Sequence, residues 1–355
     1  MKTSHNNYIK LAFNLARNNL GKTSLNPSVG CVVVKNDSVI SSGVTSKNGR
    51  PHAEFNALKD KKDFKNSDIY LTMEPCTHFG LTPPCTNLII KKKIKRVFFS
   101  FYDKDVRTAK KSKSKLLKKK IKVFKKTDYK NKDFYQSYFL IKKKSIPMID
   151  AKIAISKDYY TINKKSRWIT NFLSRKRAHL LRSEYDAILS TSRSINKDNS
   201  LLNCRIEGFN NNKPDLIIID LNLSLKRNIK LFKENTNRRI FLVTKVVNVN
   251  KLNFLKMKKV KIINVKSLKD KQDFIKLFKL FRKYNLSRVL VETGLLFLNN
   301  LLKIKLLSNL YIFQSHNRLG KNGKNNASNK FIKKFKLTKP FKVNLKNDKI
   351  YKVKI

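Results

Sequence analysis

Two cysteines, Cys76 and Cys85, flank a segment that ends in Pro83-Pro84, and a His-x-Glu pair, His52 and Glu54, lies upstream. Nothing else in the chain constrains the fold as tightly. One helix cannot present two thiolates nine positions apart to one point, so the segment between them has to fold back. The two prolines stiffen that return by fixing φ. One imidazole and two thiolates are the ligand count of a catalytic zinc site, in which a fourth position stays open. Zinc in such a site brings the pKa of its water to about 7. A carboxylate beside that water can carry the protons of a hydrolysis. The residues therefore predict a hydrolytic centre with His52, Cys76 and Cys85 as ligands and Glu54 as the proton-moving group. A structural zinc site would take a fourth protein ligand, such as His78, and would have no use for Glu54. The three-ligand count favours catalysis, with His78 lining the pocket or facing solvent. Cys31 and Cys204 read as small buried hydrophobes, and His5, His179 and His316 as structural.

At 355 residues the chain suggests two domains. Its 41% hydrophobic content supports real cores rather than disorder. No apolar run reaches the roughly 18 residues of a membrane span. The segment from Met1 to Asn7 lacks the apolar stretch of an export signal. The expectation is a soluble, cytoplasmic protein whose four cysteines are not a disulfide framework. The formal charge of +58 raises the question of a nucleic-acid partner. A binding face would concentrate charge in one stripe with aromatics between. Here lysine runs recur throughout, at Lys91–Lys93, Lys118–Lys120 and Lys142–Lys144, so biased composition is the better reading. Either way the field attracts anionic substrates.

Hydrophobic periodicity predicts a helix from His5 to Leu20, a hairpin of Val29–Lys35 and Val39–Val44, and a short helix from His52 to Lys59. Further expectations are a strand Ile69–Met73, a helix Thr86–Lys92, and strands Val97–Phe101 and Ile121–Phe124 around a Lys-rich helix. This order suggests a three-layer α/β sandwich. Lys142–Ser145 reads as a charged break, which places a boundary between 1–144 and 145–355. The second half is again α/β. It has strands Met148–Ile155, Ala187–Leu189, Leu216–Ile219, Ile240–Val243 and Arg288–Glu292. Helices are expected at Asn171–Ser183, at Leu268–Leu286 and from Gly294.

The quartet fits the zinc nucleobase deaminase signature, H-x-E then P-C-x-x-C, except for its longer spacing between cysteines. With its insertion Thr77-His78-Phe79-Gly80-Leu81-Thr82-Pro83-Pro84, and with Asn26-Pro27-Ser28-Val29-Gly30-Cys31, the chain resembles the bifunctional riboflavin-biosynthesis deaminase/reductases. The resemblance continues through Lys152, Ser166-Arg167-Trp168-Ile169-Thr170, Leu181-Arg182, Ala187-Ile188-Leu189, Val291-Glu292-Thr293-Gly294 and Leu319-Gly320. It implies a cytidine-deaminase-like three-layer α/β sandwich followed by a dihydrofolate-reductase-like α/β domain. It also implies zinc-dependent deamination of a diaminopyrimidinone carrying a phosphoribosylamino group, then NADPH reduction of the ribosyl group to ribityl. On the same basis Asn26, His78, Lys152, Ser166, Arg182, Leu202, Arg205 and Glu292 are expected to bind substrate. Ala154, Trp168, Ser194, Asp198, Glu292 and Gly294 are expected to bind NADPH. A homo-oligomer is expected, with neither membrane nor nucleic-acid partner.

The chain departs from the family pattern at several places. Asp103-Lys104-Asp105-Val106 stands for Asp-Pro-Asn-Pro, and the glycines that usually follow are replaced around Lys110–Ser114. Tyr159 stands for a glycine, and Asp198-Asn199-Ser200 for Asp-Asp-Pro. Leu221 stands for a small polar residue, Leu295-Leu296-Phe297 for a slimmer run, and Ser308-Asn309-Leu310 for Asp-Glu. These departures leave a second reading open, a deaminase whose second half no longer transfers hydride. A nucleic-acid deaminase is a third reading, although it gives the second half no role.

Overall fold

The computed structural model describes residues 5–209, 214–234, 237–327, 332–335 and 337–355. The first four residues of the segment read for an export signal lie outside them. The chain divides into two compact units, Met1–Ser145 and Ile146–Ile355.

The first unit runs α1 (His5–Arg17), β1 (Gly30–Lys35), β2 (Ser38–Val44), α2 (Ala53–Leu58), β3 (Asp68–Met73), α3 (Cys85–Lys91), β4 (Arg96–Phe101), α4 (Ser112–Leu117), β5 (Lys122–Lys125) and α5 (Gln136–Lys144). Its sheet has the order β2-β1-β3-β4-β5. β1 pairs antiparallel with β2 and β3, and β3, β4 and β5 are mutually parallel. All six residues of β3 are buried, which requires cover on both faces of the sheet. The hairpin turn is tighter than the sequence suggests. Asn36 and Asp37 alone make it, at φ of 51° and 56°, the left-handed pair that matches strand twist, and Ser38 already belongs to β2. Lys142–Lys144 is not a break. It is the last turn of α5, ending at Ser145 in the left-handed region. Cations there meet the negative end of the helix dipole.

Gly43 lets α2 approach. A Cβ on it would lie 2.4 Å from the Ala53 carbonyl oxygen and 2.5 Å from the Ala57 nitrogen. Both are backbone atoms that cannot swing aside. Because α2 carries Glu54 and directly follows His52, this contact sets the height of the metal site. Gly43→Ala is expected to destabilise the first unit by about 1–3 kcal/mol, as overpacking does. It should also weaken zinc retention. Chemical denaturation with zinc titration checks both, and an unchanged midpoint would show that α2 can shift freely.

The second unit runs β6 (Met148–Ile155), β7 (Tyr160–Asn163), α6 (Phe172–Ser183), β8 (Ala187–Thr191), α7 (Ser192–Asp198), β9 (Asp215–Ile219), α8 (Lys230–Lys233), β10 (Ile240–Thr244), α9 (Val249–Met257), β11 (Val260–Asn264), α10 (Lys271–Lys283), β12 (Arg288–Val291), α11 (Leu295–Lys303), β13 (Asn309–Gln314), β14 (Gly323–Asn326) and β15 (Lys349–Lys354). The large sheet has the order β11-β10-β9-β8-β12-β6-β13-β15, and β7 pairs with β14. Every neighbour in the large sheet is parallel except β13 and β15. The amphipathic helix expected at Leu268–Leu286 is shorter at both ends. The Asp270 side chain caps it by accepting from the Asp273 amide, and Phe274, Leu277, Phe278 and Phe281 face the core.

Along β6 the side chains alternate. Ala151, Ile153 and Ile155 join the main core, and Lys152 and Ala154 share the other face. β12 lies between β6 and β8, although it follows both by a hundred residues or more. Strand order reverses at that point, and in open parallel sheets ligands bind beyond the carboxyl ends of such strands.

Candidate active sites

In the first unit the returning loop closes on itself through hydrogen bonds to Cys76. The Thr86 amide and hydroxyl both donate to the Cys76 carbonyl, each at 3.1 Å, and the Cys85 amide donates to Cys76 Sγ at 3.2 Å. Cys76 thus satisfies the first free amides of α3, whose opening residue is Cys85. His52 stands immediately before α2, with its Nδ1 3.7 Å from Cys76 Sγ and 3.4 Å from Cys85 Sγ. The three ligand atoms lie within 4.8 Å of one another. Tetrahedral zinc, with bonds of about 2.3 Å to sulfur and 2.0 Å to nitrogen, sets its S and N ligands about 3.6 Å apart. The donor set therefore fits the metal in both chemistry and spacing.

Electrostatics prepare the same group. The Cys85 thiol, above all, together with His52, brings Cys76 down to about 4. The hydrogen bond to Cys76 and burial push Cys85 up. Glu54 is buried on the first turn of α2. Burial, and then the Cys76 charge, push its carboxyl up to about 7.

Around the metal group, Asn26 spends its side-chain amide on the Gly49 carbonyl at 3.1 Å. His78 Nδ1 lies 2.9 Å from Thr108 Oγ1 and so ties the insertion to the loop after β4. Sequence reasoning missed what holds that loop. The buried Glu74 carboxylate accepts from the Asp103, Lys110 and Ser112 amides and from the Ser112 hydroxyl. Asp105 pairs with Arg107 and Lys142, and Asp103 accepts from Tyr138. The loop that lacks the family's prolines and glycines is fixed by carboxylates instead. Lys110 even takes a positive φ of 63°.

In the second unit Lys152, Arg182 and Glu292 meet. Arg182 donates to both Glu292 oxygens, Nε at 2.6 Å and Nη2 at 3.0 Å. Lys152 Nζ lies 3.8 Å from Oε2. Burial alone would raise Glu292, but the Arg182 and Lys152 charges outweigh it and bring the carboxyl to about 2. Burial lowers Lys152. Arg182 also donates from Nη1 to the Asn203 carbonyl at 3.0 Å. Three of its five donors are thus engaged inside the protein. Arg205 is exposed, and Leu202 takes a positive φ of 50° with its carbonyl held by Arg238 at 2.9 Å. Ser166 is also exposed, with its hydroxyl accepting from the Trp168 amide. Trp168 is half exposed, with Arg175 over its ring at 4.4 Å. Arg167 donates to the Asp198 carbonyl at 2.7 Å, joining that segment to the end of α7.

The crevice beyond β8 and β12 is built by Thr191, Ser194 and Gly294. The Gly294 amide donates to Ser194 Oγ at 3.2 Å, and Ser194 Oγ lies 3.0 Å from Thr191 Oγ1. A Cβ on Gly294 would meet nothing within 4 Å except that hydroxyl at 3.9 Å, so the space before α11 is open. A helix start with open space before it suits a phosphate-bearing dinucleotide. The bulky run after Gly294 obstructs less than its composition suggests. Leu295 and Phe297 pack on the core, and only Leu296 points outward. Tyr159 does take the glycine-like backbone, at φ 68°, and rests its ring on the core. The neighbouring Asp158 holds the Leu319 and Gly320 amides.

Residues 2–101 match the cytidine and deoxycytidylate deaminase zinc-binding region, and residues 147–353 match the RibD C-terminal domain. The chain belongs to the RibD family. That family comprises the bifunctional deaminase/reductases of riboflavin biosynthesis, in which the reductase uses NADPH. A RibD protein of Aquifex aeolicus is 35% identical over 243 residues, 67% of this chain and 68% of that one. A RibD protein of Chlamydia pneumoniae is 31% identical over 301 residues, 83% and 80% of the two chains. Among the curated relatives the aligned stretch spans 60 to 80% of their own length. The crystal structure of a diaminohydroxyphosphoribosylaminopyrimidine deaminase/5-amino-6-(5-phosphoribosylamino)uracil reductase from Thermotoga maritima superposes with a TM-score of 0.81. It is 25% identical, and the match covers 99% of this chain and 98% of that one. Both family folds are therefore present, and no helix among the described residues is long and apolar enough to cross a membrane.

Proposed function

We propose that the chain performs both family reactions, with the residues above in specific roles. The observation that carries the deaminase half is a three-ligand metal group with a buried carboxyl group, Glu54, beside it. Zinc bound there would supply hydroxide at neutral pH for attack on the ring carbon that bears the amino group. Glu54 takes a proton on its carboxylate, delivers it to the ring nitrogen, and moves a second to the departing ammonia. Asn26 and His78 line the pyrimidine pocket, and Glu74 keeps the His78–Thr108 contact in place.

For the reductase half, Lys152 and Glu292 face the opened sugar. Glu292 orients the ammonium of Lys152, and Lys152 holds a proton at Nζ for the sugar oxygen. NADPH would supply the hydride, held along Ala154, Trp168, Ser194, Asp198, Glu292 and Gly294. Arg205, helped by Ser166 and the backbone at Leu202, takes the substrate phosphate. Arg182 acts one step back by fixing Glu292. The two metal thiolates suit a reducing compartment, so the cytoplasm is the proposed location. A homo-oligomer, dimer or tetramer, is the proposed assembly, and sedimentation of the purified chain tests it.

One assay tests the whole reading. Zinc-loaded chain receives the phosphoribosylamino-diaminopyrimidinone and NADPH, and ammonia release and NADPH oxidation are followed together. The expected course is ammonia first, then loss of NADPH. Ammonia without NADPH loss, even with the deaminated intermediate added directly, would favour the deaminase-only reading that Tyr159 and Leu296 leave open.

A further inference from the structure

We infer that His179 is a positioning residue for the reductase, aiming Arg205 at the substrate phosphate; this rests on the phosphate role proposed for Arg205. His179 sits one turn before Arg182 on α6, on the same face. Its Nδ1 is 2.9 Å from the Asn203 carbonyl oxygen, and its Nε2 is 3.5 Å from Arg205 Nη2. A carbonyl only accepts, and this is the shortest contact of Nδ1, ahead of the Arg205 amide at 3.3 Å and Arg182 Nη1 at 3.4 Å, so we place the proton on Nδ1. Nε2 is then left as an acceptor for the guanidinium. Arg205 Nη1 has a second neutral acceptor, Asn203 Oδ1, at 3.4 Å. Among the described residues no carboxylate is within hydrogen-bonding reach of Arg205.

The surroundings explain why a neutral imidazole serves here. The backbone beneath Arg205 is already held: Arg238 donates to the Leu201, Leu202 and Pro214 carbonyls, and Arg182 shares the Asn203 carbonyl with His179. The Arg205 amide also approaches His179 Nδ1, at 3.3 Å, so the ring bears on the Arg205 backbone as well as on the direction of its side chain. A carboxylate could set it, but would cancel the charge that a phosphate needs to meet. An imidazole nitrogen holds the fork and leaves the full charge available. Burial, then the Arg182 charge, bring His179 down to about 4, with Arg205 adding to the effect and Glu292 opposing it. The ring therefore stays an acceptor at neutral pH.

The test is steady-state kinetics of the reductase step on the full chain with NADPH. It compares the phosphorylated deaminated intermediate with its dephosphorylated counterpart. His179→Phe is expected to raise KM for the phosphorylated substrate about tenfold, the scale of one hydrogen bond to a charged group. kcat, the KM for NADPH and the KM for the dephosphorylated substrate should stay within about twofold of the parent. His179→Gln, which returns an acceptor near the Nε2 position, should recover most of the loss. His179→Phe combined with Arg205→Ala should be no worse than Arg205→Ala alone. Equal losses on both substrates, or a fall in kcat alone, would make His179 merely structural and overturn the inference. If Arg205→Ala raises KM and His179→Phe does not, the inference fails and the phosphate reading stands. If Arg205→Ala leaves KM unchanged, the phosphate reading itself fails and takes the inference with it.

Discussion

Glu54→Gln is expected to slow deamination by about two to four orders of magnitude, the range for losing a positioned proton carrier. Zinc should remain bound at the parent stoichiometry. The substitution keeps the size and a hydrogen-bonding oxygen but removes the group that accepts and returns the proton. The metal ligands are His52, Cys76 and Cys85, and the bonds from Cys85 and Thr86 to Cys76 hold the returning loop without Glu54. Single-turnover ammonia release and metal analysis of the same preparation check the two halves of this expectation. Reduction of added deaminated intermediate should proceed at the parent rate, because Glu54 belongs to the first unit. Loss of zinc together with activity would mean that the carboxylate holds the metal group together rather than moving protons.

Glu292→Gln is expected to destabilise the second unit by about 3–5 kcal/mol, the cost of leaving a buried charge without its partner. Two cations, Arg182 and Lys152, lose their counter-charge at once. Reduction should fall with it, since the amide can neither pair with Arg182 at both oxygens nor orient the Lys152 ammonium. The pH dependence has a definite sign. The folded carboxyl lies at about 2, below its ordinary value of 4.5, so its contribution is fully present above 4.5 and is lost as pH falls through 2. The gap in denaturation midpoint between parent and variant should therefore be constant from pH 7 down to about 4.5 and close below that. A gap that closes near pH 7 would mean that the pair is much weaker than its geometry implies.

The parts of the protein that were readable from sequence are those whose chemistry is local or strongly typed. The His-x-Glu pair and the proline-stiffened return to Cys85 specify a metal group before any fold is known. The apolar strands β3, β9 and β10 announce themselves by continuous burial. What was not readable depends on contacts between distant positions. Glu74 directly precedes Pro75-Cys76 in the chain, yet its carboxylate serves a loop some thirty residues on. His179 has no local partner pattern, and from sequence it reads as structural. Only the meeting of α6 with the 201–205 segment gives it Arg205 as a neighbour. The family resemblance puts Arg182 among the substrate-binding residues, and a lone arginine in a sequence shows five free donors. Folding spends three of them on Glu292 and Asn203. The Lys142–Lys144 run was read as a break because composition does not show that α5 packs Ser137, Tyr138 and Ile141 inward.

The position of β6 carries a consequence for biogenesis. β6 opens the second unit, but its two sheet neighbours are β12 and β13. A nascent chain therefore makes this apolar strand about 140 residues before its first partner leaves the ribosome. The first unit has all its strands by Lys125 and can close while synthesis continues. The second has to keep Met148–Ile155 from pairing with other chains through most of its own translation, a burden that long-range parallel pairing also makes slow to resolve. Expression at lower temperature, or with a holdase, should raise the yield of reductase activity more than that of deaminase activity from the same polypeptide.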